Sequence, residues 1–270
     1  MTELGYHLFF KSIIQISSLM IMAKSPSSKF ILVICVFSLL SLSHVVLAQL
    51  NVEGLRIKKT IDFTVDGKGT ANAWKSIPWN SVLPQKGPGQ LRPGKNFTTK
   101  FKVLYSEKGI YCLFQASDSL LSASITEDFG LLYKEDVVEV FLWPDVTQPL
   151  YFEYELSPLN YELAIIVPNI NGKIQGWRPW IYTDKNRVQH ATSVQGGSQK
   201  SGEVIQGWVA EIFIPYSLLQ PMVQSAPKKG DLWKGNFYRI DYDNEPTYYS
   251  WKATEGSFHD MKNFGTLIFD

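Results

Sequence analysis

The chain has 270 residues, 45% of them hydrophobic and 14% aromatic, with a formal net charge of +1. That is enough apolar material for a sizeable core, which excludes a disordered chain. With the charge balanced and no basic block beyond pairs such as Lys58-Lys59 and Lys228-Lys229, the electrostatic footprint of a nucleic-acid binder is missing and neutral partners are favoured.

At the N-terminus, Lys24 and Lys29 precede an apolar run from Phe30 to Leu42, and a second short stretch ends at Val46-Leu47-Ala48. A basic start, an apolar middle and a small final residue are the pattern of a cleavable signal peptide, which predicts cleavage after Ala48 and a secreted or periplasmic protein. The residues before Lys24 read as an extension from a mis-assigned start, with Met20 and Met22 as alternatives. A membrane anchor is the competing reading, but Ser residues and His44 interrupt the run, which falls short of the roughly 20 apolar residues a spanning helix needs. The expected organisation is a signal peptide at residues 1–48 and one domain at 49–270, with no membrane span after cleavage. Cys35 lies in the export segment. Cys112 remains, in the run Ile110 to Phe114, as a buried apolar thiol. Without a disulfide, the hydrophobic core must hold the fold.

The mature part is a succession of short strand candidates: Thr99 to Tyr105, Gly109 to Ser117, Asp136 to Trp143, Tyr151 to Leu156, Glu162 to Val167, Gly207 to Ile214, Asn236 to Asp243 and Thr266 to Phe269. Turn signals separate them, among them Asp66-Gly67, Asn171-Gly172, Gly196-Gly197 and Lys229-Gly230. The spacing predicts an all-β fold, a two-sheet antiparallel β-sandwich of jelly-roll type with few short helices. Helices are expected only at Thr70 to Lys75, with Trp74 packing inward, and at Tyr216 to Leu219 after Pro215. The stretch from Gln189 to Gln206, rich in Ser and Gly, is expected to be a long exposed hairpin or flexible loop.

Enzymatic signatures are mostly missing: there is no Gly-rich phosphate loop, no G-x-S-x-G elbow and no His pair at zinc-ligand spacing. Acidic residues cluster instead. Asp128, Glu135, Asp136 and Glu139 fall together, with Asp128 and Glu135 read as surface charge, and Glu139 sits inside the apolar run Val137 to Trp143, where a carboxylate is costly unless paired or facing a cleft. Glu153 and Glu155 alternate with Phe152, Tyr154 and Leu156, so both point to one face. If their strand neighbours that of Glu139, three carboxylates line one surface; the bland alternative is the solvated side of an edge strand. Such groups accept hydrogen bonds from sugar hydroxyls, ligate calcium, or work as an acid and base pair in glycoside hydrolysis.

The eight Trp divide by context. Trp74, Trp143 and Trp208 sit among apolar residues and read as core. Trp177, Trp180 and Trp251 lie among Gly, Arg, Pro, Ser and Tyr, where flat rings suit stacking on sugars, although Trp177 and Trp180 can also fold inward as a loop plug. His259 with Met261 is a candidate haem-ligand pair, against the simpler role of a histidine that ties down a loop.

The ordered series of features resembles the family 9 carbohydrate-binding module and its relatives, the DOMON-like sandwiches. It comprises Asp66-Gly67 before Trp74 and Trp79, Leu104-Tyr105 and Ile110-Tyr111 leading to Asp118, and Glu135-Asp136-Val137-Val138-Glu139-Val140-Phe141-Leu142 before Pro144-Asp145. It continues through Trp208, Glu211, Ile214 and Pro215, then Trp233, Asn236, Arg239 and Trp251, to Phe258-His259 and Phe264-Gly265. The resemblance implies a non-catalytic module that holds the ends of β-glucan or xylan chains between two rings, with structural calcium in some members. Carried onto this chain, it places the rings on Tyr133 and Trp251 and the sugar-binding carboxylate on Glu139, with Glu153, Glu155 and Arg239 as further hydrogen-bonding groups. The expected ligand is a polysaccharide or oligosaccharide, and the expected partners are glycoside hydrolases of carbohydrate catabolism. Two departures stand out: Tyr133 replaces a Trp, and Glu153 and Glu155 stand where a basic and an amide residue are expected. The alternatives are a glycoside hydrolase using Glu139 with Glu153 or Glu155, and a haem-binding relative using His259.

Overall fold

A computed structural model describes residues 52–85, 97–243 and 245–270. The expected signal peptide and its cleavage point lie outside these residues. In chain order the strands are β1 (Leu55–Lys59), β2 (Asn80–Pro84), β3 (Thr99–Tyr105), β4 (Gly109–Ser117), β5 (Val137–Trp143), β6 (Leu150–Leu156) and β7 (Glu162–Ile170). Then follow β8 (Lys173–Ile174), β9 (Arg178–Pro179), β10 (Gln189–Gln195), β11 (Gly207–Pro215), β12 (Leu232–Asp241), β13 (Thr247–Ser250) and β14 (Gly265–Phe269). The described residues contain short 3-10 turns but no α-helix: the expected helix at Thr70 to Lys75 is the 3-10 turn Asn72–Ser76, with Trp74 buried as anticipated.

Two sheets form the sandwich, one in the order β14-β12-β5-β6-β7 and the other β3-β4-β11-β10. Two strands belong to both. Residues 55–57 of β1 pair with β14 and residues 58–59 with β3, both in parallel, while β2 pairs antiparallel with β3 through residues 80–82 and with β13 through residues 83–84. The sandwich is thus mixed at this corner and antiparallel elsewhere. The segment from Gln189, expected as a long exposed hairpin or flexible loop, forms the first arm of a hairpin: the edge strand β10 pairs with β11 along its whole length. Its Gln, His, Thr and Ser side chains give no apolar pattern because only one neighbour covers them.

Alternation along each strand sorts the core. Val138, Val140 and Leu142 of β5, Phe152 and Tyr154 of β6, and Phe237 of β12 meet Phe101, Val103, Cys112 and Phe114 of the opposite sheet. Burial pushes the Cys112 thiol well above its ordinary pKa, in keeping with an inert core residue. On the outside of the second sheet, Trp74 packs with Leu104, Tyr111, Leu113 and Phe213. Glu211 explains why Asp66-Gly67 and Trp74 occur together: its Oε2 accepts from the backbone N–H groups of Asp66 (2.7 Å) and Gly67 (3.0 Å), and its Oε1 from Trp74 Nε1 at 2.7 Å. At Gly67, with φ of 72°, a Cβ would lie 2.7 Å from the Ala191 carbonyl carbon, so glycine is required there.

Candidate functional site

The outer face of the first sheet is built by the opposite parity. Val137, Glu139 and Phe141 project from β5, Tyr151, Glu153 and Glu155 from β6, Leu163 and Ile165 from β7, and Tyr238 and Ile240 from β12. Register sets Glu139 opposite Glu155 and Phe141 opposite Glu153, with Tyr238 on the other side of Glu139. Directly opposed side chains have Cβ atoms about 4.5–5.5 Å apart, so the acids share one patch of floor. They are 2%, 4% and 1% exposed for Glu139, Glu153 and Glu155.

Walls rise around this floor to enclose a cavity of about 520 Å³, within the usual range for small-molecule sites of about 300–1,000 Å³. Tyr133, in the 3-10 turn Leu132–Lys134, forms one wall. Gln85, Trp177, Tyr248 and the loop from Gly256 to His259 form the rest. The loop is fixed from below. Asn236 Nδ2 donates to the Tyr238 hydroxyl (2.7 Å), which in turn donates to the Phe258 carbonyl (2.8 Å), while the Phe258 ring stacks on Tyr238 at 4.0 Å between centroids.

The electrostatics are unusual for a surface cavity. Burial, reinforced by the charge of Glu155, raises the Glu139 carboxyl well above its ordinary range, and burial with both neighbouring acids does the same to Glu153. Burial carries Glu155 up to about 8, against opposing hydrogen bonds from Glu153 and the Tyr133 backbone. The floor therefore holds protons more readily than free carboxylates do, and a protonated carboxyl group donates as well as accepts hydrogen bonds. His259 stands at the rim with its Nδ1 hydrogen-bonded to the Tyr151 hydroxyl and 3.5 Å from Glu153 Oε2, and burial lowers its pKa to about 4, so it is a neutral imidazole at pH 7.

The structure thus brings together Tyr133, Glu139, Glu153, Glu155 and Trp177 from the residues singled out in the sequence. Three others lie elsewhere. Arg239, expected at the site, points from the opposite face of β12 into the sandwich, fully buried, where it pairs with Asp118 (2.8 Å) and Asp241 (3.2 Å) and donates to the Ser117 carbonyl at 2.7 Å. Trp251, expected as the second platform, packs on the inter-sheet core against Phe101 and Phe237, with a ring edge lying over Gly265, where a Cβ would be only 2.2 Å away. Trp180 folds inward as a plug, its Nε1 donating to the Leu218 carbonyl at 2.9 Å. Trp143, read as core, is half-buried on the outer face, and its Nε1 donates to the Gln148 carbonyl. Met261 is buried in the outer-face cluster and does not line the cavity, so His259 and Met261 are not presented together as a haem-ligand pair.

Sequence reasoning misses two aromatic wall residues, Tyr248 and Phe258. Period-two alternation in β13 finds the first: Tyr249 is buried inward opposite Arg239, so Tyr248, opposite Ile240, faces the cavity. Phe258 carries no such signal, because it lies in a loop.

The inward acids form a second cluster. Asp118, Asp136 and Asp241 place carboxylate oxygens within 4.8 Å of one another, all buried. Burial raises the Asp118 and Asp136 carboxyls, with Arg239 pulling both back down. Carboxylate oxygens gathered in this way are donors of the kind that suits calcium. These three Asp would hold such an ion, which when bound would place positive charge among them.

Three comparisons bear on this architecture. The family model for "carbohydrate family 9 binding domain-like" matches residues 65–270. A candidate carbohydrate-binding protein from Bacteroides uniformis superposes with a TM-score of 0.64 at 20% identity, covering 81% of this chain and 100% of its own. A family 9 carbohydrate-binding module from Caldicellulosiruptor kristjanssonii, solved with cellotriose, gives 0.56 at 16% identity over 80% of this chain and 93% of its own. A structure of a family 9 module from the same organism with glucose gives 0.54 at 16% identity, covering 80% and 95%. Among curated proteins none matches. At these identities the structural likeness speaks for the fold, and the family match across most of the chain gives the conclusion: this chain belongs to the carbohydrate family 9 binding domain-like family.

Proposed function

We propose that the domain is an exported saccharide-binding module that holds the end of a β-glucan- or xylan-type chain in the outer-face cavity. The observation that carries this reading is the union of Tyr133 and Trp177 as ring walls with Glu139, Glu153 and Glu155 on the floor. Rings stack on the C–H faces of a pyranose while the acids take its hydroxyls. The cellotriose and glucose bound by the Caldicellulosiruptor modules support a ligand of this class. Glycosidic cleavage needs two carboxyl groups flanking the bond on opposite sides. Here all three share one floor, an arrangement suited to holding rather than hydrolysis.

Titration with a panel of glucans, xylans and their oligosaccharides is expected to show binding. Tyr133→Ala and Trp177→Ala each weaken it by about tenfold or more, as expected for removing a stacking ring, with the melting temperature little changed. Trp251→Ala, by contrast, lowers the melting temperature through core loss and leaves the affinity of the folded protein intact. No binding across the panel, or equal affinity in all three variants, overturns the reading. Export belongs to the same proposal: it supports a role alongside glycoside hydrolases in carbohydrate catabolism. N-terminal sequencing of the mature protein is expected to begin at Gln49, and an intact N-terminus would refute it.

A further inference from the structure

We infer that the saccharide held by this cavity carries a primary ammonium, making it an unacetylated amino sugar, with the ammonium seated among Glu139, Glu153 and Glu155. The inference rests on the saccharide-binding reading above and names the substrate class of the same site.

Three acids meet on the floor where sugar hydroxyls alone require no charge. Glu139 and Glu155 are directly opposed across β5 and β6, and Glu153 lies two residues from Glu155 on the same face. Each is more than nine-tenths buried, and Glu153 Oε2 and Glu155 Oε2 have no hydrogen-bond partner. Buried polar atoms left unmatched are costly, and each marks a place where a hydrogen-bonding partner is missing. A neutral hydroxyl brings one donor and is met equally well by an amide side chain. An ammonium brings three donors and a charge, matching three carboxyl groups at once and pairing with the carboxylates formed as their protons leave.

The surroundings agree. Among the described residues lining the cavity there is no Lys or Arg, and the histidine at the rim is held by Tyr151. The titratable groups facing the three acids are Tyr238 from β12, Tyr151 from β6, and Tyr133, Tyr248 and His259 from the walls, while β7 contributes only Leu163 and Ile165. None of these supplies positive charge at neutral pH. The rings of Tyr133, Trp177 and Phe258 add faces that attract a cation as well as stack on a sugar. Charging the floor requires that protons leave: on binding, an ammonium displaces protons from the acids, which pass to the buffer.

Three disaccharides that differ only at the 2-position test this directly: the glucosamine disaccharide (ammonium), its N-acetylated form (acetamide) and cellobiose (hydroxyl). Isothermal titration near pH 6, where the sugar amine is charged, is expected to show the glucosamine disaccharide binding at least about tenfold tighter than either neutral sugar. Its binding enthalpy changes with buffer ionisation enthalpy in the sense of proton release, and Glu155→Gln and Glu139→Gln each abolish the preference. If cellobiose binds as tightly as the glucosamine disaccharide, or no proton release accompanies amine binding, the inference is overturned while the saccharide site stands. If none of the three binds, and the wider panel is silent as well, both fall.

Discussion

Arg239→Ala is expected to be the most damaging single substitution in the protein, lowering stability by about 3–5 kcal/mol, the usual consequence of stranding buried charge. The guanidinium is wholly buried, and its hydrogen bonds reach Thr99 Oγ1 (3.1 Å), the Ser117 carbonyl, Asp118 and Asp241. It therefore ties β12 to the loop following β4 in the opposite sheet. Without it, Asp118, Asp136 and Asp241 lose the guanidinium that lies among them. Because burial already raises the Asp118 and Asp136 carboxyls, acid relieves part of the damage: the loss measured by urea unfolding should be smaller at pH 5 than at pH 8. Arg239→Lys is expected to rescue only partly, because a single ammonium cannot reproduce a planar fork that serves two strands. Wild-type stability in Arg239→Ala at pH 7 would contradict this account.

The second large effect is in the opposite direction. Glu155→Gln should stabilise the protein at pH 8, by roughly 3 kcal/mol, since each tenfold change in proton affinity between the folded and unfolded chain is worth about 1.4 kcal/mol. The floor carboxyls bind protons more readily in the folded protein than in the unfolded chain. Their stabilising contribution is complete below the unfolded value near 4.5, and for Glu155 it is lost as pH rises toward about 8. His259 acts in reverse: its lowered pKa makes stability rise with pH between about 4 and 6.5. The interval from pH 6.5 to 8 therefore isolates the acids. Urea midpoints of the wild type should fall across it, and those of Glu155→Gln should fall less steeply, because Glu139 and Glu153 remain. A wild-type midpoint that rises across this interval would refute the raised proton affinity of the floor. That a residue of the cavity opposes stability is the usual mark of a side chain retained for binding.

Much of the fold is legible in the sequence because the central strands are apolar on both parities: Val137 to Leu142 and Gly207 to Ile214 read as strands whichever face is considered. β10 is legible only as one arm of a hairpin or as a loop because an edge strand with a polar outer side has no such pattern, and β1, Leu-Arg-Ile-Lys-Lys, buries only Ile57 fully. In the site, parity is the informative signal where it is applied and the source of error where it is not. It places Glu153 and Glu155 on one face correctly. Applied to β12, it puts Arg239 with Phe237 and Asp241 rather than with Tyr238, and so on the far side of the sheet from Glu139. Applied to β13, it sends Trp251 inward with Tyr249 and leaves Tyr248 at the cavity. Loop residues have no such rule: the opposite fates of Trp177 and Trp180, three positions apart, depend on contacts with distant strands that local sequence does not encode.

The corner strand β1 has a mechanical consequence. It lies parallel to β14 and to β3 and gives each a short ladder, so the first and last strands of the domain are hydrogen-bonded neighbours pointing the same way. Tension applied between the two ends would pull these strands in opposite senses along their length, loading the bonds between them in shear so that they must break together rather than one at a time. A module gripping an insoluble polymer under flow would resist extraction through this seam, and its failure force should far exceed that of a hairpin peeled from one end.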